Sequence, residues 1–279
     1  MKKKKVWLIT GASKGLGLAL VKALLLNDYR VAATTRNAQA LMDEIGQKTS
    51  AFLPLEVDLT DEKDVQRAIE RSVAHFGRID VVVNNAGYAQ FGTPEELSEE
   101  EIRQNFDVNV FGLLNMIRQV MPHLRENRSG HLINIASIGG FTGAFPGAGI
   151  YCATKFAVAG LTEALWADVG EFGISATVVY PGYFRTSFLQ KGSLRLPAKP
   201  IAAYTASGNL IRWHVSEQNG KQLGDPDKAA TALIQLAELE NPPLHLFLGS
   251  DSVNLAHEKI QVMLRALEAH EALSKSTDL

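Results

Sequence analysis

Cysteine is almost absent from this chain of 279 residues, which carries only Cys152. A single cysteine cannot form an internal disulfide, so we expect Cys152 to be a small buried residue in a protein of the reducing cytoplasm. The seven histidines are scattered without the spacing of a metal site, and no metal is predicted. No apolar run reaches the roughly 18 residues of a membrane span, so we expect none.

An excess of charge is absent as well. The 28 Lys and Arg residues nearly balance the 30 Asp and Glu residues and leave a formal net charge of −2. This balance gives no electrostatic reason to expect binding to nucleic acid or to an anionic membrane. The basic residues Lys2 to Lys5 precede an apolar stretch of five residues that ends before Gly11, which is too short for a signal peptide. A cytoplasmic location is therefore expected.

Short apolar runs alternate with helical patterns along the whole chain. Strands are predicted at residues 6–10, 30–35, 51–57, 79–84, 131–136, 175–180 and 244–248. Helices are predicted at residues 15–26, 38–47, 61–76, 98–125, a stretch through Tyr151 to about 172, and about 253–274. Because the strands are apolar throughout rather than alternating, both faces of the sheet should be covered. The pattern predicts an α/β fold, a single doubly wound Rossmann-type domain over residues 1–279 with a seven-stranded parallel sheet.

A glycine-rich segment joins the first predicted strand to the first helix and reads Thr10-Gly11-Ala12-Ser13-Lys14-Gly15-Leu16-Gly17. Glycines allow the backbone to turn tightly and to approach a pyrophosphate, whose charge then meets the N-terminus of the helix. The stricter G-x-G-x-x-G pattern fails because Leu20 stands at its last glycine, and the P-loop pattern is absent. A tight turn without a ligand is the alternative interpretation.

A possible acid/base pair lies in the second half of the chain. Tyr151 and Lys155 are four residues apart, which places them on one face of a helix. An ammonium beside a phenol favours the phenolate and should bring the pKa of Tyr151 toward the range of a general acid/base. Ser137 follows an apolar run, so its hydroxyl should lie at the carboxyl end of a strand, where open α/β sheets bind ligands. Taken alone, the Tyr–Lys spacing could equally belong to a surface pair.

In their order along the chain, these segments resemble the short-chain dehydrogenase/reductase family. The resemblance covers residues 5 to about 250, and within the family the chain is most similar to 17β-hydroxysteroid- or retinol-dehydrogenase-like carbonyl reductases. The segments that carry it are T-G-x-x-x-G-x-G at the start, Asn84-Asn85-Ala86-Gly87, Asn109, Ser137, Tyr151, Lys155, and Pro181-Gly182 with Thr186.

The resemblance implies a role for each matching residue. Tyr151 would exchange a proton with the substrate oxygen, Lys155 would lower the pKa of Tyr151 and hold the nicotinamide ribose, and Ser137 would hydrogen-bond the substrate oxygen. Asn109 would hold a water in the proton relay. Asp58 would contact the adenine and Thr186 the nicotinamide carboxamide. The complete set of expected cofactor-binding residues is Gly11, Ser13, Lys14, Gly15, Leu16, Gly17, Arg36, Asp58, Leu59, Asn85, Ala86, Gly87, Tyr151, Lys155, Pro181, Gly182 and Thr186.

The end of the second strand predicts which dinucleotide is used. An acidic residue there would bond the ribose hydroxyls and repel a 2′-phosphate. This chain has Thr35 at that position, followed by Arg36, whose planar guanidinium suits a phosphate. Lys14 could supply a second cation. The sequence therefore predicts NADP(H) as the cofactor rather than NAD(H).

Aromatic residues near the catalytic segment predict an apolar substrate. We expect the substrate to contact Ser137, Phe141, Phe145, Tyr183 and Phe188, and to be a small apolar or aromatic ketone or secondary alcohol. Residues 187–224 are long for a connection in a compact domain and are predicted to form a mobile lid that orders over the substrate. The C-terminal helix could pack on the body or on another subunit, and a homo-oligomer, either dimer or tetramer, is expected.

Three functions compete on these grounds. The first is an NADP-dependent reductase of an apolar carbonyl compound, which the sequence favours. The second is a 3-oxoacyl-carrier-protein reductase, for which Arg118, Arg125 and Arg128 could supply a basic surface. The third is a non-catalytic nucleotide-sensing protein, although such proteins usually lose the Tyr or the Lys that this chain keeps.

Overall fold

The computed structural model of the protein describes residues 4–46 and 49–279. Its strands are β1 (Val6–Ile9), β2 (Arg30–Thr35), β3 (Phe52–Glu56), β4 (Val81–Asn84), β5 (Ala89–Gln90), β6 (Gly130–Ile135), β7 (Ile174–Pro181), β8 (Leu194–Arg195) and β9 (His245–Leu248). Seven of them form one sheet in the order β3-β2-β1-β4-β6-β7-β9, with every neighbouring pair parallel. The predicted α/β Rossmann-type fold with a seven-stranded parallel sheet is confirmed.

The helices are α1 (Gly15–Leu26), α2 (Ala38–Ile45), α3 (Glu62–Phe76), α4 (Glu99–Phe106), α5 (Gly112–Asn127), α6 (Gly149–Val169), α7 (Thr205–Arg212), α8 (Pro226–Glu238) and α9 (Ser250–Lys275). Helix α2 was predicted to end at residue 47, which lies outside the described residues. The structure ends it at Ile45, before Gly46 with its positive φ of 68°.

Helices α3 and α4 begin where side chains can satisfy free backbone N–H groups. The Asp61 carboxylate accepts from the Lys63 N–H over 2.9 Å at the start of α3. Helix α4 opens with a capping box, in which the Ser98 hydroxyl and the Glu101 carboxylate each accept from the other residue's N–H. Such caps contribute about 1 kcal/mol each, so polar residues fix where these helices start.

Helical layers cover both faces of the sheet. Adjacent residues of β1 point to opposite sides, as a strand requires. Trp7 packs into a cluster with α1 and α8, whereas Leu8 packs into a second cluster with α3 and α5. Both side chains are fully buried. This explains why the strand is apolar throughout.

The helix predicted over residues 98–125 is divided in the structure. Helices α4 and α5 are separated by the π-helical turn Asp107–Phe111. The turn carries Asn109, whose side-chain amide is buried and bonded to Tyr88. A π-helical turn changes which side chains face inward, and such turns are frequent near functional sites. Hydrophobic periodicity does not signal it.

Residues 187–224, predicted as a lid, contain regular structure. Strand β8 pairs in parallel with β5, with Leu194 opposite Ala89. The buried Glu96 carboxylate accepts hydrogen bonds of 2.8 Å from the N–H groups of Thr93 and Ile201. These contacts fasten the segment to the body, and its mobility without ligand stays a prediction.

Helix α9 is slightly longer than the predicted helix at residues 253–274. It buries Ser252 and Ala256 near its start, and every residue from 260 onward is exposed. Within residues 4–46 and 49–279, no helix combines the length and apolarity needed to cross a membrane.

Candidate active site

A cavity of about 300 Å³ lies at the carboxyl edge of the large sheet. Residues that follow β1, β2, β4, β6 and β7 line it, together with parts of the segment 187–224. This is the edge at which open parallel sheets bind ligands, because the strand order reverses there and the connections leave a crevice. All the sequence-predicted site residues line this cavity except Gly17, Asn109 and Phe141.

The glycine-rich turn forms one end of the cavity. Gly11 and Gly15 have positive φ angles of 66° and 59°, which favour glycine. A Cβ on Gly11 would lie 2.7 Å from the Cα of Ala86. Only a residue without a side chain therefore lets the turn pack this closely against the segment after β4. The N-cap of α1 is Lys14, which has no acceptor with which to cap the helix. The first N–H groups of α1 are therefore suited to an anion.

Gly17 was predicted to bind the cofactor, and the structure corrects this. A Cβ at this position would lie 2.5 Å from Asn85 Nδ2 and 2.6 Å from the Gly11 carbonyl oxygen. Gly17 thus lies beneath the turn and permits close packing rather than lining the cavity. The Asn85 amide donates to the carbonyls of Thr10 and Gly11 over 3.0 and 3.1 Å and holds the turn in place.

Two cations line the cavity near the glycine-rich turn. Arg36 follows β2, and partial burial together with the charge of the nearby Arg36 lowers the pKa of Lys14. Thr35, at the end of β2, is nearly buried and carries no charge. The arrangement places positive charge where an NAD-type acid would otherwise stand.

Ser137, Tyr151 and Lys155 meet at the middle of the cavity. A Cβ on Gly139 would lie 3.4 Å from the Ser137 Oγ and 3.7 Å from the Tyr151 Cε1, so both groups surround that glycine. The Ser137 hydroxyl oxygen accepts from the Gly139 N–H over 3.0 Å. The Lys155 Nζ lies 6.0 Å from the centre of the Tyr151 ring.

Burial dominates the electrostatics of this cluster. It raises the pKa of Tyr151 far above the ordinary value of a phenol, and the Ser137 hydroxyl offsets only part of this. Burial also lowers the pKa of Lys155 to about 8. Burial thus opposes the lowering of the Tyr151 pKa that was expected from Lys155, and that effect of Lys155 stays a prediction. Tyr151 in its protonated form is suited to act as an acid.

Asn109 was expected to hold a water, but its side chain is occupied by the protein. Its Oδ1 accepts from the Tyr88 N–H over 3.0 Å, and its Nδ2 donates to the Tyr88 carbonyl over 2.9 Å and to the Thr154 hydroxyl over 3.0 Å. Asn109 therefore joins the π-helical turn to the segment after β4 and to α6. Its side chain positions the site without lining it.

Phe141 was expected in the substrate pocket, and this is wrong. Its ring packs edge-on against Tyr180 and Phe247, with ring centres 5.6 and 5.0 Å apart. The 3₁₀ turn Ile138–Gly140 separates Phe141 from Ser137 and turns it into the core between α6 and β9. Phe145, Tyr183 and Phe188 do line the cavity.

Sequence reasoning missed several polar and aromatic residues that line the cavity. Among them are Tyr88, Phe91, His214 and Gln222. Tyr88 and Phe91 come directly after the Asn84–Gly87 motif in the sequence, and this position could have predicted that they line the cavity. His214 and Gln222 lie in the segment 187–224, where no motif marks them. Both amide atoms of the buried Gln222 side chain lack a hydrogen-bond partner among the described residues.

Cys152, beside Tyr151, is buried at the cavity wall. Burial raises the pKa of its thiol to about 11, so it stays a thiol near neutral pH. This agrees with its expected role as a small buried residue. Among residues 4–46 and 49–279, no cluster of three or more His, Cys, Asp or Glu side chains is arranged to hold a metal ion.

Comparison with known proteins gives consistent results. Residues 5–195 match the family model described as short chain dehydrogenase. The chain is 34% identical over 272 residues to oxidoreductase BOA17 of Botryotinia fuckeliana, covering 97% of this chain and 98% of the relative. It is 34% identical over 245 residues to the 3-ketodihydrosphingosine reductase of Bacteroides thetaiotaomicron, covering 88% of each.

Solved structures agree with this. A short-chain dehydrogenase from Streptomyces avermitilis has a TM-score of 0.91 at 35% identity, with 100% of both chains covered. ElxO with NADP bound has a TM-score of 0.74 at 28% identity, with 90% of this chain and 100% of that chain covered.

The fold and the site together define an oxidoreductase that uses a nicotinamide cofactor. The chain belongs to the short-chain dehydrogenase/reductase family. The predicted family membership is confirmed, whereas the likeness to 17β-hydroxysteroid or retinol dehydrogenases within the family stays a prediction.

Proposed function

We propose that this protein is an NADP(H)-dependent oxidoreductase acting between an apolar or aromatic ketone and its secondary alcohol, with Tyr151 as the general acid/base. The observation that carries the proposal is the cluster of half-buried Ser137 with buried Tyr151 and Lys155, placed between the glycine-rich turn and an aromatic wall of one cavity. The cavity thus presents the glycine-rich turn at one end and aromatic side chains at the other.

The residues of the cavity fit the cofactor. The first turn of α1 would bind the pyrophosphate, and Lys14 with Arg36 would bind the 2′-phosphate. Thr186 lies beside the turn, since a Cβ on Gly15 would be 3.7 Å from the Thr186 Cβ, and it would bond the carboxamide. The bound cofactor supplies the hydride. The NADP bound to the related ElxO supports this choice.

The proton steps belong to the chain's own residues. Ser137 would donate to the substrate oxygen and stabilise the charge that develops there, while Tyr151 gives its proton to that oxygen. Water then restores the proton to Tyr151. Because burial raises the pKa of Tyr151, the phenol carries its proton at neutral pH and can give it to the substrate oxygen.

The aromatic wall supports an apolar substrate. Phe91 and Phe188 contact the Tyr151 ring, with ring centres 6.4 and 6.2 Å away, and Phe145 lines the same space. The name of the related 3-ketodihydrosphingosine reductase supports a ketone. In this proposal, residues 187–224 form the lid or outer wall of the pocket, and the protein works as a homo-oligomer.

The alternative of a 3-oxoacyl-carrier-protein reductase has weaker support. It needs a basic surface, but the guanidinium of Arg118 lies 3.1 Å from the Glu62 carboxylate and is partly neutralised. A carrier protein would therefore meet less positive charge on α5 than the sequence suggests.

The test is NADPH oxidation by the purified protein with a panel of apolar ketones, polar ketones, aldehydes and acyl thioesters, with Tyr151→Phe as the control. We expect turnover of apolar ketones by the wild type and nearly none by the variant. Preference for 3-oxoacyl thioesters would favour the carrier-protein reductase instead. NADPH binding without turnover of any compound would favour a nucleotide-sensing protein.

A further inference from the structure

A second polar pair faces the cavity apart from the catalytic cluster. Tyr183 follows the end of β7, and His214 lies in the π-helical turn Trp213–Gln218 after α7. The Tyr183 hydroxyl and the His214 Nε2 are 3.0 Å apart, and both residues line the cavity. His214 is 3% exposed. The proposed mechanism uses neither residue.

The hydrogen bonds of His214 fix where the protons are. Its Nδ1 lies 2.8 Å from the Leu210 carbonyl oxygen, which can only accept, so Nδ1 carries the hydrogen. Burial lowers the pKa of His214, which keeps the ring neutral, and Nε2 is therefore an acceptor. It accepts a hydrogen bond from the Tyr183 hydroxyl. The lone pairs of the Tyr183 oxygen remain, so the pair offers the cavity an acceptor and no donor.

Packing holds this acceptor in place. The Tyr183 ring meets Trp213 edge-on at 5.7 Å between ring centres. The Tyr183 N–H donates to the Asp251 carboxylate over 2.7 Å, and its carbonyl accepts from the Gly224 N–H over 3.0 Å. A group held in this way gains affinity for a ligand because little freedom is lost on binding.

The acceptor lies close to the reacting centre. The Phe91 ring contacts both Tyr151 and His214, with ring centres 6.4 and 5.0 Å away. One aromatic ring therefore spans the distance between the proton donor of the reaction and the Tyr183–His214 pair. A molecule of similar width could reach both.

We propose that Tyr183, oriented by His214, is a specificity-determining residue that accepts a hydrogen bond from a hydroxyl or N–H group of the substrate. The substrate is then a ketone with an apolar body and a second, hydrogen-bond-donating group. Tyr183 touches this group, and His214 positions Tyr183. The inference rests on the proposed function, since it describes the substrate of the same site.

The test compares ketones that differ only in their second group. Meta- and para-hydroxyacetophenone are compared with their methoxy and methyl analogues, and a hydroxylated aliphatic methyl ketone with its methoxy analogue. Methoxy keeps an acceptor but cannot donate. We expect kcat/KM to favour the best hydroxyl compound over its methoxy analogue by about tenfold, the size of one net hydrogen bond.

Variants separate recognition from simple packing. Tyr183→Phe should remove the hydroxyl preference, and so should His214→Leu. His214→Gln should restore part of it, because the amide oxygen can accept the Tyr183 proton. Trp213→Phe is the matched control, because it alters the packing on Tyr183 but keeps the Tyr183–His214 hydrogen bond. This variant should keep the preference for hydroxyl compounds.

The inference is overturned if no hydroxyl compound is preferred in either series, or if Tyr183→Phe leaves the preference unchanged. Its failure differs from failure of the proposed function, in which the wild type would reduce none of these ketones. If the wild type reduces none of these ketones, the inference is tested by binding instead. Calorimetry then gives the dissociation constants of the hydroxy and methoxy compounds for the NADPH-loaded protein, and equal constants would overturn the inference.

Discussion

The Lys155 ammonium donates a hydrogen bond of 2.9 Å to the main-chain carbonyl of Ile135, two residues before Ser137. This bond ties α6 to the end of β6 and uses one of the three N–H groups of the ammonium. The others are available to a ligand such as the ribose of a dinucleotide. The charge is buried in the cavity wall, which carries a free-energy penalty.

That penalty predicts how stability depends on pH. Burial lowers the pKa of Lys155 from 10.5 to about 8 in the folded protein. Between these values the unfolded chain binds the proton and the folded chain does not, so the free energy of unfolding rises with pH. Below pH 8 both states are protonated and the penalty is complete. Each pKa unit corresponds to about 1.4 kcal/mol, which limits the effect to a few kcal/mol.

We therefore expect wild type to gain stability relative to Lys155→Met as the pH rises from about 8 toward 10.5. Denaturant unfolding of both proteins, without cofactor, measures the difference at each pH. Lys63→Met removes an exposed lysine from α3, and its free energy of unfolding should depend on pH in the same way as that of wild type. A constant difference between wild type and Lys155→Met would mean that Lys155 is not penalised by burial.

A second prediction concerns the proton donor. Tyr151→Phe should lower kcat for ketone reduction by roughly 10²–10⁴-fold, the usual contribution of a general acid/base group. The dissociation constant of NADPH should change little, because the ring still packs against Phe91 and Phe188. Stopped-flow single-turnover kinetics and cofactor titration measure the two quantities. Retention of more than about a tenth of the wild-type rate would remove Tyr151 from this role.

The sheet could be predicted because its strands are apolar throughout and alternate with helical patterns. Strand β1 shows the reason, since Trp7 and Leu8 are both fully buried on opposite faces. The carboxyl ends of parallel strands meet at one edge, so the order of the segments along the chain was enough to place the glycine-rich turn, Ser137 and Tyr151 in one site. The topology of the sheet is sufficient to predict that these residues lie in one site.

Side-chain direction outside the regular elements could not be predicted. Phe141 lies four residues from Ser137, yet a single 3₁₀ turn points it into the core. The π-helical turn around Asn109 cannot be predicted from a hydrophobic pattern that repeats every 3.6 residues. His214 and Gln222 reach the cavity only because the segment 187–224 folds back onto the body. Such placements depend on long-range contacts that local sequence does not encode.

Gln222 gives a third prediction, in which stability and function oppose each other. A buried amide without partners destabilises the folded state by about 1–3 kcal/mol, and an apolar group of similar shape does not. Gln222→Met should therefore raise the melting temperature of the empty protein. If the amide binds a ligand, the same variant should raise one KM, and whether it is that of NADPH or of the ketone identifies the ligand.

The control is Gln119→Met, because the Gln119 amide already donates to the Glu62 carboxylate over 2.7 Å. It should bring no gain in melting temperature. A lower melting temperature in Gln222→Met would show that the wild-type amide is satisfied in solution, for example by water.

Cofactor choice gives the last prediction, and it rests on two neighbouring cations. Partial burial lowers the pKa of Lys14, and the charge of Arg36 lowers it further, as expected for two like charges that lie close together. A phosphate between them would replace repulsion with attraction. A charge-assisted contact contributes roughly 1.5–3 kcal/mol, so each cation should favour NADPH by about ten- to a hundredfold in affinity.

We expect the wild type to have a higher kcat/KM with NADPH than with NADH, and the advantage should shrink as salt screens the charges. Thr35→Asp combined with Arg36→Ala should reverse the preference, because an acid then bonds the ribose hydroxyls and repels the 2′-phosphate. Arg71→Ala, on the exposed surface of α3, is the control and should leave the ratio unchanged. Equal efficiency with both cofactors in the wild type would contradict the assignment. An unchanged ratio in the double variant would place the selectivity elsewhere, with Lys14→Ala the next variant to measure, since Lys14 is the second cation proposed to contact the phosphate.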